Sequence, residues 1–202
     1  MQTAENLKRE ALERFRGLPW SCRGMDVEAF TWEERDYFSG TREIPPLIRL
    51  AGREDASMTT SQYPRSPKQK VGGMAHLGRL FDKIRLRHQG LIQDYNYLTT
   101  GFDKYLLDYL GLKAGDLEQR VLQGGSDGEL LAWVRANGKP LSAAEIRLWN
   151  MTVLGGEPKD DAARDRFSGR LSEIASKRGV PVESLPKITT WADAIDLDEG
   201  RL

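Results

Sequence analysis

The sequence predicts a mainly α fold: a single compact multi-helix domain, with one short extended segment around 91–98. Three observations carry that expectation. Apolar residues recur at three- and four-residue steps, the helical period, through most of the chain. Helix starts are marked by caps, twice as the reciprocal Ser-x-x-Glu pattern, at Ser126–Glu129 and Ser142–Glu145. Glycines then close helical segments, at Gly111 and Gly179 among others.

Taken in order, Thr3 caps a first helix whose Leu7, Ala11, Leu12 and Phe15 share a face, ending near Gly17-Leu18-Pro19. A second short helical segment follows Asp26 or Thr31 and stops at Ser39-Gly40, and Pro45-Pro46 then enforce an extended turn. Residues 51–64 have loop composition. They divide an N-terminal helical segment with a proline-broken linker, 1–56, from a helical domain, 57–202.

The stretch Ser66–Arg87 dominates the middle of the chain. Ser66-Pro67 reads as a helix start, and Val71, Met74, Leu77, Phe81 and Ile84 form one apolar stripe. Gly72-Gly73 inside that helix costs about 1 kcal/mol per glycine relative to alanine, tolerated where something approaches the backbone or the helix bends. Gly72, His76, Arg79, Lys83 and Arg87 fall on the opposite side. Residues 65–88 hold seven cations against Asp82 alone, a surplus of six in a chain of net charge zero. Two readings of that face stay open. In one it is solvated and attracts acidic partners from its own chain. In the other, Arg79, Lys83 and His76 line a pocket for an anionic group.

After a close at His88-Gln89-Gly90, residues 91–98 mix alternation with aromatics and lean towards an extended segment. Residues 102–111 read as a helix ending on Gly111. The two capping boxes open the next helices, and Ile146, Leu148, Trp149, Met151, Val153 and Leu154 send the second through the core. Asp160 and Asp161 open a helix with the stripe Ala163, Phe167, Leu171 and Ile174, closed by Gly179, and Thr190 caps a last short one.

The segments PRSPKQKVGGMAHLGRLFDKIR, QDYNYLTTGFDKYLLDYLG, SDGELLAWVRANG, AEIRLWN, RDRFSGRL and TTWADAIDLDEGRL together resemble an uncharacterised bacterial family known as a domain of unknown function. The resemblance covers residues 57–202 and implies a compact, soluble, mostly helical bacterial domain. It carries over no activity, cofactor or catalytic residue.

Composition narrows the chemistry. A length of 202 residues, with 39% hydrophobic and 30% charged, describes a soluble globular protein able to bury a sizeable core. No run approaches the ~18 apolar residues of a membrane span, and the N-terminus lacks an apolar leader. The single Cys22 excludes an internal disulfide, which together points to the cytoplasm. His76 and His88 lie twelve apart and Cys22 has no thiol partner, so no zinc spacing exists and no metal or cofactor is expected. Gly124-Gly125 and Gly155-Gly156 lack the lysine and hydroxyl of a phosphate loop, and no nucleophile elbow is present. Cys22 has only Arg23 beside it and reads as a structural or surface thiol.

His76 is the residue of most interest. Its helical neighbours Arg79 and Lys83 favour the neutral ring, able to act as base or acceptor, against the alternative of a partly buried ring bonded to a backbone carbonyl. The segment carrying Tyr95, Tyr97, Asp94 and Asp103, set against the basic helix, would combine phenols, carboxylates and cations in one pocket. The candidate ligand-binding residues are Arg65, His76, Arg79, Lys83, Tyr95 and Asp103. The acidic end, Asp193, Asp196, Asp198 and Glu199, competes for the same cations if it folds back. The function expected is a helical domain binding a small anionic molecule through the basic helix, with enzyme activity left open. The alternative is a protein-interaction or structural module, docking a protein partner or a second copy through its N-terminal amphipathic helix. Nucleic acid is a poor fit for a neutral chain without a recognised motif.

Overall fold

The computed structural model of the chain describes residues 63–202. The expectations for residues 1–56, including the first helices, the Pro45-Pro46 turn and Cys22, lie outside the described residues. Seven α-helices and no sheet are found among them: α1 Leu77–His88, α2 Gly101–Leu110, α3 Ala114–Leu122, α4 Asp127–Asn137, α5 Ala143–Leu154, α6 Asp161–Arg178 and α7 Trp191–Asp198. A 3-10 turn, Val182–Ser184, links α6 to the approach of α7. The fold is mainly helical.

The caps fall where the sequence puts them. Ser126 and Ser142 each accept from the backbone N–H three residues on, while Glu129 and Glu145 reach back to complete both capping boxes. Asp160 and Thr190 cap α6 and α7 through the N–H groups of Ala163 and Asp193. Gly111 and Gly179 close α2 and α6 with φ of 67° and 66°, the left-handed conformation that favours glycine.

One core organises helices α1 to α5. Leu77, Leu80, Phe81 and Ile84 of α1 are fully buried, each side chain contributing about 1.5–3 kcal/mol relative to exposure. They join Leu117 and Val121 of α3, Leu130 and Val134 of α4, and Trp149 of α5 in one cluster. Trp149 stacks on Tyr109 with ring centroids 5.1 Å apart. Helices α6 and α7 form their own apolar contact, Phe167 edge-on to Trp191 at 5.0 Å, and α7 also packs on α5.

Three expectations are corrected. The long helix from Ser66 does not form: α1 begins at Leu77, and 66–76 is a run of turns. Gly72 and Gly73, both at positive φ (59° and 84°), make a two-residue turn across which Val71 and Met74 exchange backbone hydrogen bonds of 3.1 and 3.0 Å. Such turns need positive φ at both central positions, which glycine supplies at no steric cost. Ser66 starts a turn instead of a helix, accepting from the Lys68 N–H and donating to Asp196. Residues 91–98 form turns and bends, not a strand. Helix α5 is not immersed in the core: Trp149, Thr152 and Val153 are buried while Met151 is exposed. Helix α3 is an addition to the expected elements; its N-cap, Lys113, makes no side-chain cap, which removes the usual start signal.

Candidate functional site

The site is built on a backbone held in an uncommon conformation. His76, the N-cap of α1, has φ 68°, a left-handed value for a residue with a Cβ. Such conformations cost on the order of 1–3 kcal/mol and persist where the surroundings over-determine them. Here the surroundings are α5. The Asn150 side chain accepts from the Ala75 N–H at 2.7 Å and donates to the Gly73 carbonyl at 2.8 Å. The Trp149 indole N–H donates to the Ala75 carbonyl at 3.0 Å, and the His76 N–H donates to the Pro67 carbonyl at 2.9 Å. Helical geometry then sets His76, Arg79 and Lys83 on one face of α1.

Across from that face stands Asp103, in the first turn of α2. Its Oδ1 accepts from His76 Nε2 at 2.8 Å, and its Oδ2 accepts from Lys83 Nζ at 2.5 Å and from the Leu98 N–H at 3.1 Å. Leu98 and His76 are the only non-glycine residues at positive φ among the described residues, and both bond this carboxylate. His76, Asp103 and Lys83 are 1%, 1% and 4% exposed. Burial of a charge in this way requires pairing, which the trio supplies internally.

Protonation follows from the contacts. Burial pushes the Asp103 carboxyl up, but the bonds and charges of His76 and Lys83 outweigh it and hold the group below its ordinary range. Burial pushes the His76 ring down, Asp103 opposing it and Lys83 and Arg79 reinforcing it. The ring is therefore neutral near pH 7. A carboxylate partner makes Nε2 the donor, leaving Nδ1 with its lone pair. Nδ1 is buried and has no hydrogen-bond partner. Phe102 packs on the ring at 5.4 Å. Lys83 is also pushed below its ordinary value, chiefly by burial, with Asp103 opposing and Arg79 adding to the effect.

A second buried pair lies one turn away. Arg79 donates to both carboxylate oxygens of Glu199 at 2.8 and 2.5 Å and to the Arg65 carbonyl at 3.0 Å. Tyr95 donates to Glu199 at 2.8 Å, and its ring lies beneath the Arg79 guanidinium at 5.8 Å. Burial and then Glu199 push that phenol upward. The acidic end does fold back. Glu199 takes Arg79, Asp193 and Asp196 take Lys68 at 2.6 and 3.2 Å, and Asp198 takes Arg170 and Lys177. The cationic surplus of residues 65–88 is thus largely met within the chain. Its cleft-side members are buried, so the solvated face of the first reading is not what forms.

His76, Arg79, Lys83, Asp103, Tyr95 and Glu199 all line one cleft of about 1000 Å³, bounded by α1, the start of α2, α6 and α7. That is the size of a small-molecule site. Six basic side chains around its wall face seven carboxylates, so the cleft is close to charge-balanced. Arg65 is not part of it: it pairs with Asp82 at 2.7 Å and Asp127 at 2.5 Å on another side of α1. Tyr97 bonds Glu118 at 2.5 Å beneath Arg87 and also lies apart. Five of the six candidate residues therefore converge. Asn150, Trp149 and Leu98 position the site and carry no sequence signal of doing so. Among the described residues no group of His, Cys, Asp and Glu is arranged to hold a metal ion, and no helix is long and apolar enough to cross a membrane.

The chain belongs to the family described as a domain of unknown function, DUF5069, whose model matches residues 61–201. No curated protein matches it.

Proposed function

We propose that the cleft binds a small polar molecule and that His76, oriented by Asp103, exchanges a proton with it, making the protein an acid–base enzyme. The observation that carries this reading is the imidazole itself. One ring nitrogen is committed to a buried carboxylate, the other is buried without a partner, and the backbone beneath is strained. A neutral ring of that tautomer accepts a proton at Nδ1 while the ionised Asp103 steadies the imidazolium that forms. An unmade bond at a buried polar atom costs about 1–3 kcal/mol, which a ligand hydroxyl or N–H reaching Nδ1 would recover.

The anionic group expected of the ligand does not find its partner in Arg79 or Lys83, which already hold carboxylates. Arg166 suits it better: it lines the cleft, is exposed on α6, and belongs to none of the ion pairs among the described residues. A panel of carboxylated, phosphorylated and neutral hydroxylated metabolites tests the reading by thermal unfolding. A binder at roughly ten times its Kd adds about 1.4 kcal/mol, a rise of about 3–6 °C in Tm. The rise is expected to vanish in His76→Asn, chosen because asparagine tolerates positive φ. A panel with no response at millimolar concentration, or an equal response in the variant, would contradict the proposal.

A further inference from the structure

Lys83 has no part in the proton exchange at His76, yet the fold buries it at the same cleft. We infer that Lys83 is a carbonyl-reactive amine, forming a Schiff base with an aldehyde or ketone bound there. The inference rests on the cleft being a small-molecule site and names its substrate class as carbonyl compounds.

The geometry is that of an activated lysine. Nζ is at the end of a 5%-exposed side chain lining the cleft, and it carries three N–H donors against one side-chain acceptor, Asp103 Oδ2 at 2.5 Å. A lysine becomes nucleophilic when desolvated or set beside another cation. Both conditions are met, since Arg79 precedes it by one turn on the same face of α1. Burial pushes its ammonium towards the free amine, as described above. Asp103 is placed to manage the proton. Its carboxylate is already shared with His76 Nε2 and the Leu98 N–H, so it is fixed in position before any ligand enters.

The step balances without an oxidant or reductant. The ammonium gives one proton to Asp103, and the amine lone pair adds to the carbonyl carbon while the carbonyl π pair moves to oxygen. A proton passes from nitrogen to that oxygen, giving a carbinolamine. Asp103 returns its proton to the hydroxyl, which leaves as water, and the iminium that remains faces an ionised carboxylate. Net charge at the pair is unchanged throughout: one ammonium becomes one iminium and one water is released. A lysine kept only as counter-ion to Asp103 would have no need of a place on the cleft wall.

The test traps the adduct on the full-length protein near neutral pH. Pyruvate and, separately, propanal are incubated with sodium cyanoborohydride, and the reduced product is located by peptide mass mapping. Labelling of Lys83 is expected at least about tenfold ahead of the surface lysines, the advantage of a desolvated amine. Lys83→Arg, which keeps the charge but cannot form the imine, is expected to lose that fast phase. Preference for pyruvate over propanal, abolished in Arg166→Ala, would show that the carbonyl compound carries an anion held at the rim. Labelling spread over surface lysines with Lys83 unmodified overturns the inference, and the wild-type map decides this even if a variant fails to fold. Compounds that raise Tm through His76 but give no adduct would leave the cleft assignment standing and sink the covalent step alone. Absence of both responses would remove both.

Discussion

Replacing Asp103 with alanine is expected to destabilise the domain by about 3–5 kcal/mol in urea denaturation near pH 7. The loss comes from what stays behind. Lys83 must either keep a buried charge with no counter-ion or give up its proton, and the His76 Nε2–H and the Leu98 N–H become buried donors without acceptors. Lys83→Met is expected to cost less than Asp103→Ala, because His76 can take up a proton and replace the missing charge beside the carboxylate. The double variant Asp103→Ala/Lys83→Met is expected to be more stable than Asp103→Ala, since removing the lysine removes the uncompensated ammonium. A double variant no more stable than the single would mean that Lys83 and Asp103 do not form the buried pair described here.

Gly72→Ala is expected to cost about 2–4 kcal/mol, more than most core truncations to a neighbouring aliphatic. Two effects add. A Cβ on a backbone at φ 59° is strained by about 1–2 kcal/mol. That Cβ would also sit 2.5 Å from both methyl carbons of Leu131, closer than packed atoms approach. Gly73→Ala separates them: its φ is 84°, but the nearest atom, on Ile146, is 3.8 Å away, so only the backbone strain of about 1–2 kcal/mol applies. Equal costs at the two glycines in denaturant melts would show that the half-buried Leu131 side chain moves aside and adds nothing to the backbone strain. Because the turn leads directly into Ala75 and His76, Gly72→Ala is also expected to reduce ligand-induced gains in Tm by more than Gly73→Ala does.

Those glycines mark where the sequence was legible and where it was not. Val71, Met74, Leu77, Phe81 and Ile84 fit a helical stripe by spacing, and the last three do lie on α1. Val71 and Met74 reach the core by another route, across a tight turn that local periodicity cannot tell from a helix. Caps were readable because they are local: a side chain and a backbone N–H three residues apart. The convergence of Tyr95 and Asp103 on the basic helix was also readable, from complementary residue types in adjacent segments. The pairing of Arg79 with Glu199, 120 residues away, was open to the sequence only as a competition between the acidic end and an external anion. Its outcome depends on α6 and α7 carrying the C-terminal residues back to α1. The strain at His76 and Leu98 was not readable: histidine is enriched at positive φ, but too weakly to single out one residue, and leucine is not enriched there at all.

The chemistry of the cleft depends on a neutral His76 whose proton is on Nε2. Its pH dependence has a definite sign. An unfolded histidine protonates near 6.5, and the folded ring does so lower, so between those values the unfolded chain binds the extra proton. Stability therefore falls as pH drops below 6.5, and falls again below 3.8, where unfolded Asp103 takes a proton that the folded carboxylate resists. Nitrogen-15 NMR of the His76 ring reads this most directly. A neutral ring, Nε2 protonated and Nδ1 bare, is expected to persist as the pH is lowered through 6.5. An imidazolium at neutral pH, or a neutral ring with its proton on Nδ1, would contradict it.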